Sequence, residues 1–393
     1  MIIISYEKFM ENNSNDMWTI IPDSVKELHD LFKSKGKSLY VVGGAVRDFK
    51  KGEKPKDFDL CTDATPDEVL EIIKGYRTNL QGKSFGVVVV YTDDQPKGME
   101  IATFREDQYS EDQLGKTRNP DVKFSTIDKD VERRDIPYNA LFYDLDKREI
   151  VDLVGGIEDI RSKITRFVGD PEMRIKEDPL RIMRLMRFNS RYQFTIDDKT
   201  KESIKKFKGK LKIISKERIW AFSGDNTGEV MKAWKQAKDF SEYLELFNEF
   251  DLWEDIFPGL KVNTNIVKSK YLEVYLANIL KYNDLSTLRN KLIEDFKIET
   301  DYAKVIEFLI SLFNFTPNEV TEFYKAKRVA RVSDDVILDW YKVNDMNDRM
   351  YMAFLEYRPS VSAQDLMKQG FKDKALGDEI KRLEVKNFIK ILK

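Results

Sequence analysis

Two aspartates separated by one residue, Asp57 and Asp59, are the strongest candidates for chemistry in this chain. In an extended segment alternate side chains share a face, so both carboxylates point one way while Phe58 points the other. Neighbouring carboxylates repel each other, and the pair is favoured where Mg²⁺, which prefers hard oxygen ligands, lies between them. For an isolated pair of this kind, a solvated loop is the simpler interpretation.

A third carboxylate, Glu100, lies in the apolar segment Met99–Phe104 (MEIATF). A charged residue in an apolar strand needs either solvent or a partner. If this strand lies beside Asp57 and Asp59, the three carboxylates suit two metal ions, one activating a hydroxyl and the other stabilising a leaving pyrophosphate. A salt bridge made by Glu100 is the alternative.

A glycine pair, Gly43 and Gly44, follows the apolar run Leu39–Val42 and precedes Arg47. Glycines at a strand-to-helix junction let backbone N–H groups approach a phosphate, and the helix N-terminus adds positive character. The pattern is neither GxGxxG nor the P-loop. A phosphate cradle and an ordinary tight turn both remain open.

The composition excludes several catalytic classes. Cys61 and His29 are the only cysteine and histidine, which excludes disulfide scaffolds, Cys/His zinc sites, Ser-His-Asp triads and Cys-His dyads. The 67 basic and 69 acidic residues nearly cancel, so a nucleic-acid contact would have to come from local basic faces. The N-terminus is unlike a signal peptide and no apolar run is long enough to span a bilayer, so we expect a cytoplasmic protein.

Two kinds of periodicity divide the chain of 393 residues. From about Ser38 to Leu153, short apolar runs alternate with Gly, Pro and Asp, and hairpin-like turns (DDQPKG, DLDKR) predict a mixed rather than a doubly wound sheet. The predicted strands are Leu39–Val42, Phe85–Tyr91, Met99–Phe104, Leu141–Tyr143 and Ile150–Leu153. After about Lys163 strands are predicted to stop, and the helical stretches are Leu180–Phe188, Glu217 onward, Phe240–Leu252, Tyr271–Tyr282, Ala303–Phe313 and Ala363–Leu392.

Seven motifs occur in a fixed order: GGAVRD, DFDLCTDATPDEV, MEIATFR, ERRDIPYNAL, GGIEDIRSKITRFVGDP, EDPLRIMRLMRF and SKERI. Together they resemble the class II branch of the polymerase β nucleotidyltransferase superfamily, which contains CCA-adding tRNA nucleotidyltransferases and bacterial poly(A) polymerases. The motifs cover roughly residues 38–220. The resemblance implies untemplated addition of nucleotides to RNA 3′ ends with Mg²⁺ as cofactor.

The resemblance also implies a fold and domains. We expect an α+β chain: a mixed-sheet nucleotidyltransferase head (1–160), a helical neck that carries the base-recognition helix (161–230), a helical body (231–310) and a helical RNA-binding tail (311–393).

The resemblance assigns site residues by motif. The triphosphate is assigned to Gly43, Gly44 and Arg47, the metal ions to Asp57 and Asp59, the nucleotide sugar to Arg134 and Asp135 with Asn139 in the same motif, and the incoming base to Glu177, Asp178 and Arg181. In the sugar motif, Ile136, Pro137 and Tyr138 replace the family's usual aromatic-or-leucine, threonine and β-branched residues. Ribose recognition is expected to survive, and the local backbone geometry is the open question.

The base-reading role also follows from hydrogen-bond chemistry. Cytosine and adenine present an amino donor beside an unprotonated ring nitrogen, whereas uracil and guanine present a carbonyl beside a ring N–H. Aspartate only accepts and arginine only donates, so Asp178 and Arg181 match the first two bases. The i, i+3 spacing predicts both on one helical face. A surface ion pair is the alternative.

Three further arginines follow on the same predicted helix: Arg184, Arg187 and Arg191. We assign Arg184 and Arg187 to nucleotide binding and Arg191 to RNA binding. The row of arginines could also form a basic ridge that binds phosphates of the RNA acceptor end. A solvated amphipathic face is the alternative. The polar segment Arg105–Lys123 is predicted to be a mobile loop, and its full length resembles that of enzymes which add A.

In the tail, Gly370 and Gly377 are predicted to bracket a turn that leads into a helix at Asp378–Leu392. Such a turn would bring Lys372 or Lys374 close to a tRNA phosphate. A plain helix-to-helix turn is the alternative.

The expected function is addition of CCA to tRNA lacking all or part of it, from CTP and ATP, without an obligate protein partner. A bacterial-type poly(A) polymerase is the nearest alternative, although such enzymes usually carry a longer basic extension. An inactive RNA-binding protein is the alternative from another class, and a histidine-dependent phosphohydrolase is nearly excluded by the single His29.

Overall fold

The computed structural model describes residues 16–109, 121–222 and 227–392. The chain divides into two compact units, one ending at Ile214 and the other beginning at Ser215. This boundary falls inside the predicted neck, and the other predicted domain boundaries stay predictions. None of the described helices is long and apolar enough to cross a membrane.

The first unit contains all the strands that the described residues form. They are β1 (Leu39–Val42), β2 (Asp59–Thr62), β3 (Arg77–Asn79), β4 (Val87–Tyr91), β5 (Met99–Thr103), β6 (Arg105–Gln108), β7 (Asp121–Phe124), β8 (Phe142–Asp144), β9 (Glu149–Val151), β10 (Ile164–Thr165) and β11 (Thr195–Ile196). Its helices are α1 (Asp23–Ser34), α2 (Gly44–Lys50), α3 (Pro66–Ile72), α4 (Ile127–Glu132), α5 (Gly156–Ser162), α6 (Pro171–Glu177), α7 (Arg181–Tyr192) and α8 (Asp198–Phe207).

The second unit is helical throughout its described residues. It comprises α9 (Lys216–Trp220), α10 (Glu229–Gln236), α11 (Phe240–Glu249), α12 (Trp253–Ile256), α13 (Leu272–Leu280), α14 (Leu285–Glu294), α15 (Thr300–Ser311), α16 (Val320–Ala330), α17 (Asp334–Val343), α18 (Arg349–Glu356), α19 (Ala363–Lys368) and α20 (Asp373–Leu392). The predicted fold class, a mixed sheet followed by helices, is confirmed.

The main sheet has seven strands among the described residues, in the order β3-β4-β5-β2-β1-β8-β9. Only β2 and β5 pair in parallel, and the other neighbours are antiparallel, which confirms the predicted mixed sheet. Side chains alternate between two cores. One face packs Leu60 and Ile101 against α1 and α3, and the other brings Cys61 and Phe142 against Val131 of α4.

Several predicted elements differ in detail. Strands do not stop at Lys163, because β10 and β11 pair in parallel as a two-stranded sheet. The helix predicted from Glu217 ends at Trp220. The predicted helix Ala363–Leu392 is interrupted before Asp373, where Gly370 adopts a positive φ of 97°. The ends of the predicted loop Arg105–Lys123 pair as β6 and β7, and its central residues 110–120 lie outside the described part of the chain.

The substituted segment Ile136-Pro137-Tyr138 folds into a short 3₁₀ turn, Pro137–Asn139, with Pro137 at its first position. Tyr138 is fully buried, its hydroxyl lies 3.2 Å from Oγ1 of Thr165, and its ring packs edge-on against Tyr192. The substitution therefore anchors the sugar motif to α7, because the aromatic ring replaces a smaller side chain in a buried contact.

Helix α5 lies against this turn so closely that only glycine fits at Gly156. A Cβ added there would lie 2.4 Å from the carbonyl oxygen of Pro137. The helix cannot easily move away, because the Asp152 carboxylate accepts the backbone N–H groups of Gly156 and Ile157, each at 2.9 Å.

We expect Gly156→Ala to lower the free energy of unfolding by about 1–3 kcal/mol, the usual range for overpacking a closed contact. Urea denaturation measures the change. Gly209→Ala is the matched control, since a Cβ there meets nothing within 4 Å, and its stability should be unchanged or slightly raised. Equal stability of Gly156→Ala and the wild type would contradict the close approach.

Candidate active site

The predicted carboxylates lie together at the beginning of two parallel strands. Asp57 precedes β2 and Asp59 begins it, and both are exposed while Phe58 and Leu60 are buried. In the β2–β5 register Leu60 pairs with Ile101, so Asp59 lies next to Glu100 one residue earlier. The alternation and the strand neighbourhood expected from the sequence are therefore present.

The crowding of these groups shows in the pKa of Asp59, which is raised to about 7. Desolvation of the carboxyl group is the largest cause, even though part of the residue reaches solvent, followed by the negative charges of Glu100 and Asp57, while Arg134 acts in the opposite direction. Asp59 is thus an acceptor without enough positive charge nearby. A divalent cation would remove this repulsion.

The donor set fits Mg²⁺ with two carboxylate ligands. Across residues 16–109, 121–222 and 227–392, no three His, Cys, Asp or Glu side chains converge on one point as metal ligands. Mg²⁺ is commonly held by one or two carboxylates, with water and substrate phosphates completing its shell. Asp57 and Asp59 can supply such ligands, and a role for Glu100 as a third ligand stays a prediction.

A pocket of about 220 Å³ opens beside Asp59. Its floor is the sheet face that carries the carboxylates, and arginine side chains form part of its wall. The lining residues are Val42, Asp59, Leu60, Cys61, Phe85, Val87, Glu100, Ala102, Thr103, Arg105, Arg133 and Arg134.

A buried carboxylate, Asp130 on α4, holds two of the pocket arginines. It accepts from Nε of Arg133 at 2.8 Å and from Nε of Arg134 at 3.0 Å. Burial alone would raise the pKa of Asp130, but the two guanidinium groups outweigh it and keep the pKa below its ordinary value. Arg134 also lies 3.4 Å from Sγ of Cys61 and over the ring of Phe142, so its position is fixed before any substrate binds.

The glycine pair has the geometry that its position requires. Gly43 adopts a positive φ of 70° and its N–H donates to the carbonyl of Leu141 at 2.9 Å. The space that a side chain at Gly44 would occupy faces Nη2 of Arg47 at 3.6 Å and Oδ1 of Asp57 at 3.9 Å. The glycine turn therefore lies next to the carboxylates.

Arg47 is buried rather than open to solvent. It is 4% exposed, donates to Asp48 through Nε at 2.8 Å and is bonded to Oδ1 of Asn139. Its assignment to the triphosphate stays a prediction, and the structure shows that Arg47 links the glycine turn to Asn139 of the sugar motif.

Asp135 is paired with Arg184 of α7. Oδ2 of Asp135 accepts from Nε of Arg184 at 2.7 Å, and its second oxygen accepts the N–H of Ile136 at 3.0 Å. Burial opposes ionisation, but Arg184 and the nearby Arg181 and Arg187 lower the pKa of Asp135 to about 2. The sugar motif and helix α7 are joined by this ion pair.

The base-reading motif does not lie on one helical face as the spacing predicted. Asp178 is extended, with φ −143° and ψ 99°, between α6 and α7, and its Oδ1 accepts the N–H of Leu180 at 3.1 Å. Arg181 begins α7, is 7% exposed, is bonded to Glu177 and donates to the carbonyl of Arg133 at 3.1 Å. The helix cannot continue through Asp178 because Pro179 follows it.

The arginines of the predicted basic ridge do not form an exposed surface. Arg181 and Arg187 are buried, at 7% and 6% exposure, whereas Arg184 is half-exposed and Arg191 lies 3.4 Å from Asp48. Arg184 and Arg191 pair with Asp135 and Asp48 of the head and Arg181 pairs with Glu177 of α6, and the hydrophobic pattern gave no sign of these partners.

Lys372 and Lys374 are exposed, as expected. The turn predicted between Gly370 and Gly377 is shorter, because α20 begins at Asp373 and includes both Lys374 and Gly377. A phosphate contact through these lysines stays a prediction.

Residues 39–166 match the family described as the poly A polymerase head domain, and residues 193–221 match "Probable RNA and SrmB- binding site of polymerase A". A CCA-adding enzyme from Lactobacillus helveticus is 31% identical over 366 residues, covering 88% of each chain. The chain belongs to the family of CCA-adding enzymes and bacterial poly(A) polymerases.

Other members of this family are similar over different lengths. Poly(A) polymerase I from Salmonella typhi is 32% identical over 281 residues, or 70% of this chain, and the chain spans only 57% of that enzyme. The solved structure of the Thermotoga maritima CCA-adding enzyme complexed with tRNA has a TM-score of 0.66 at 18% identity, covering 96% of both chains. This likeness establishes the family's fold for the chain.

Two residues of the family site were missed by the sequence analysis. Asp130 holds Arg133 and Arg134, and its i, i+3 and i, i+4 spacing to them was a usable signal. Asp48 lies in the quoted GGAVRD motif and contacts Arg47, Arg191 and the hydroxyl of Tyr192. The second and third contacts are about 143 residues away in sequence and could not be inferred from spacing.

The low pKa of Asp135 predicts how stability depends on pH. Its folded pKa of about 2 lies below the ordinary value near 3.9, so the contribution is present above about pH 4 and is lost as pH falls toward 2. Allowing for the half-exposed partner, we expect Arg184→Gln to lower the free energy of unfolding by about 1–2 kcal/mol at pH 7 and by much less near pH 2.5.

Urea denaturation at several pH values measures this difference. Arg161→Gln is the control, because Arg161 and Glu158 form an exposed pair at 75% and 61% side-chain exposure, which contributes little. A loss for Arg184→Gln that does not depend on pH would contradict the ion-pair explanation.

Proposed function

We propose that this protein adds CCA to the 3′ end of tRNA lacking all or part of that sequence. In each step the terminal 3′-hydroxyl attacks the α-phosphorus of CTP or ATP, one phosphodiester bond forms, and the bond to the β-phosphate breaks to release pyrophosphate. The hydroxyl proton is lost to the medium. The observation that carries the transfer chemistry is the crowding of Asp57, Asp59 and Glu100 beside a pocket walled by arginines.

The acidic and basic side chains of the site have different proposed roles. Asp57 and Asp59 would hold Mg²⁺, which supplies activation of the attacking hydroxyl and stabilisation of the leaving pyrophosphate. Arg133 and Arg134, fixed by Asp130, present positive charge toward nucleotide oxygens. Gly43 and Gly44 would let a triphosphate approach the backbone closely, because neither carries a side chain.

Base selection is proposed for Asp178 and Arg181, which differ in their exposure and in their hydrogen bonds. Asp178 is partly exposed and has an acceptor oxygen for an amino group of cytosine or adenine. The guanidinium of Arg181 is bonded to Glu177 and to backbone carbonyls. Recognition by Arg181 therefore requires one of these bonds to be exchanged for a bond to the base. Arg184 and Arg187 would support this surface, and Arg191, Lys372 and Lys374 would contact RNA phosphates.

Extent of similarity favours CCA addition over poly(A) synthesis. The match to the CCA-adding relative covers 88% of both chains. The match to poly(A) polymerase I covers only 57% of that enzyme. Poly(A) synthesis is the second candidate, because that enzyme is 32% identical over the aligned region.

The two candidates differ in the product that they make. Purified protein is incubated with tRNA transcripts lacking CCA, CA or A, each nucleoside triphosphate being supplied alone and in combination, and products are sized and sequenced. CCA addition predicts two C residues and then one A, and then termination. A long A tract on every RNA would show poly(A) synthesis, and no transfer with intact RNA binding would show an inactive RNA-binding protein.

We expect Asp57→Asn and Asp59→Asn each to reduce incorporation by at least about 1,000-fold, because a neutral amide binds Mg²⁺ poorly. The Kd for tRNA should change little, since neither carboxylate neutralises a phosphate. Single-turnover incorporation and filter binding measure the two quantities. Glu71→Gln, at an acidic position outside the pocket, is the control. Turnover near the wild-type rate in either aspartate variant would contradict the assignment of that residue as a ligand of Mg²⁺.

Asp178→Asn separates base reading from helix capping. The amide oxygen can still accept the N–H of Leu180, so this backbone contact is retained. The added amino group replaces an acceptor by a donor, so we expect the preference for CTP and ATP over UTP and GTP to narrow by about 10-fold or more. The ratios of kcat/KM for the four nucleotides measure this. An equal fall for all four would assign Asp178 a structural role only.

A further inference from the structure

Two exposed phenylalanines, Phe85 and Phe124, lie at the pocket and have no role in the chemistry described above. Their exposed fractions are 37% and 43%. Phe85 lines the pocket, and a Cβ added to Gly86 would lie only 3.1 Å from Cε1 of Phe124. The ring of Phe124 therefore covers the backbone at Gly86, next to Phe85, and Phe85 is the one of the two that lines the pocket.

The strand register shows that this end is opposite the carboxylates. Glu100 lies near the start of β5, whereas the N–H of Thr103 near its end donates to the carbonyl of Gly86 at 2.8 Å. Three residues of strand span roughly 10 Å. Phe85 is thus about one nucleoside length from Glu100 along the pocket floor, and Arg105 anchors the Phe85 carbonyl.

The floor between the two ends is formed by apolar side chains, with the guanidinium of Arg134 lying 3.4 Å from Sγ of Cys61 at one side. Val87 pairs with Ala102 on β5, and Cys61 lies beside Ala102 on β2. These three side chains line the pocket between the carboxylates and Phe85. A polar group at the carboxylate end and a flat apolar group along the floor would match this surface.

We propose that Phe85, flanked by Phe124, stacks on the base of the 3′-terminal nucleotide of the RNA that receives the new residue. This inference rests on the proposed function, because that function places the attacking 3′-hydroxyl at Asp59 and Glu100. The base of the same nucleotide then extends along the apolar floor toward Phe85. Aromatic side chains bind unpaired bases in this way.

The apolar side chains of the floor favour the terminal base over an incoming base, because Val87, Ala102 and Cys61 offer no pattern of donors and acceptors by which one base could be told from another. Stacking also suits a terminal base that changes with every addition, since each base presents a π-face and no hydrogen-bond pattern is required. An incoming base, in contrast, must be distinguished by hydrogen bonds.

A double-mutant cycle between the ring and the base tests the proposal. An acceptor-stem RNA ending in C is compared with the same RNA carrying an abasic terminal nucleoside that retains its 3′-hydroxyl. The proteins are the wild type, Phe85→Ala and Phe85→Tyr, with Leu80→Ala as the control because Leu80 is 44% exposed and does not line the pocket. KM for RNA, KM for ATP, kcat, and the Kd for RNA without nucleotide are measured.

We expect Phe85→Ala to raise KM and Kd for the intact RNA on the order of 10-fold, within the range found for loss of one stacking contact. The abasic RNA should bind the wild type and Phe85→Ala equally, Phe85→Tyr should restore wild-type values, and KM for ATP should stay within about 2-fold. Leu80→Ala should match the wild type throughout.

Equal effects of Phe85→Ala on intact and abasic RNA would overturn the proposal, as would a rise confined to KM for ATP, which would place the incoming base against Phe85. The Kd cycle is readable even if the wild type transfers no nucleotide. Absence of transfer therefore contradicts the proposed function, and absence of coupling in Kd contradicts the stacking.

Discussion

Electrostatic repulsion among carboxylates at the beginning of β2 and β5 is the constraint on which the rest of this site depends. Parallel pairing of these strands brings Asp59 beside Glu100, with Asp57 two residues before it. Burial of the Asp59 carboxyl group, followed by the charges of Glu100 and Asp57, raises the pKa of Asp59 to about 7. Such an arrangement destabilises the isolated fold near neutral pH, because charge is favoured less strongly in the folded chain. Carboxylates with raised pKa values of this kind are typical of functional sites, where a bound cation can offset the repulsion.

The positive charges that face this site are held by their own acidic partners. Asp130 fixes Arg133 and Arg134, Asp48 fixes Arg47, and Asp135 fixes Arg184. Each carboxylate is largely buried and each guanidinium is thereby oriented without a ligand. A preorganised cation loses little conformational entropy when a phosphate or ribose binds.

Local rules predicted the part of the site that lies on strands. Alternation predicted the shared face of Asp57 and Asp59, and the turn signals predicted a mixed sheet. The same rules failed where contacts between residues far apart in the sequence determine the position of a side chain. The pairing of Arg184 with Asp135 spans 49 residues, and no periodicity in α7 reports an acidic partner on the head. Pro179 is a local signal that Asp178 lies outside the helix. This signal outweighs the i, i+3 spacing, which predicted Asp178 and Arg181 on one helical face.

The proposed chemistry requires Asp57 and Asp59 to form a divalent-cation site that nucleotide phosphates complete. Calorimetric titration of Mn²⁺ into the protein with a non-hydrolysable CTP analogue tests it most directly, with Asp57→Asn and Asp59→Asn in parallel. The account predicts nucleotide-dependent Mn²⁺ binding by the wild type, weakened on the order of 10-fold or more in each variant. Mn²⁺ binding of equal affinity in the wild type and both variants would contradict it.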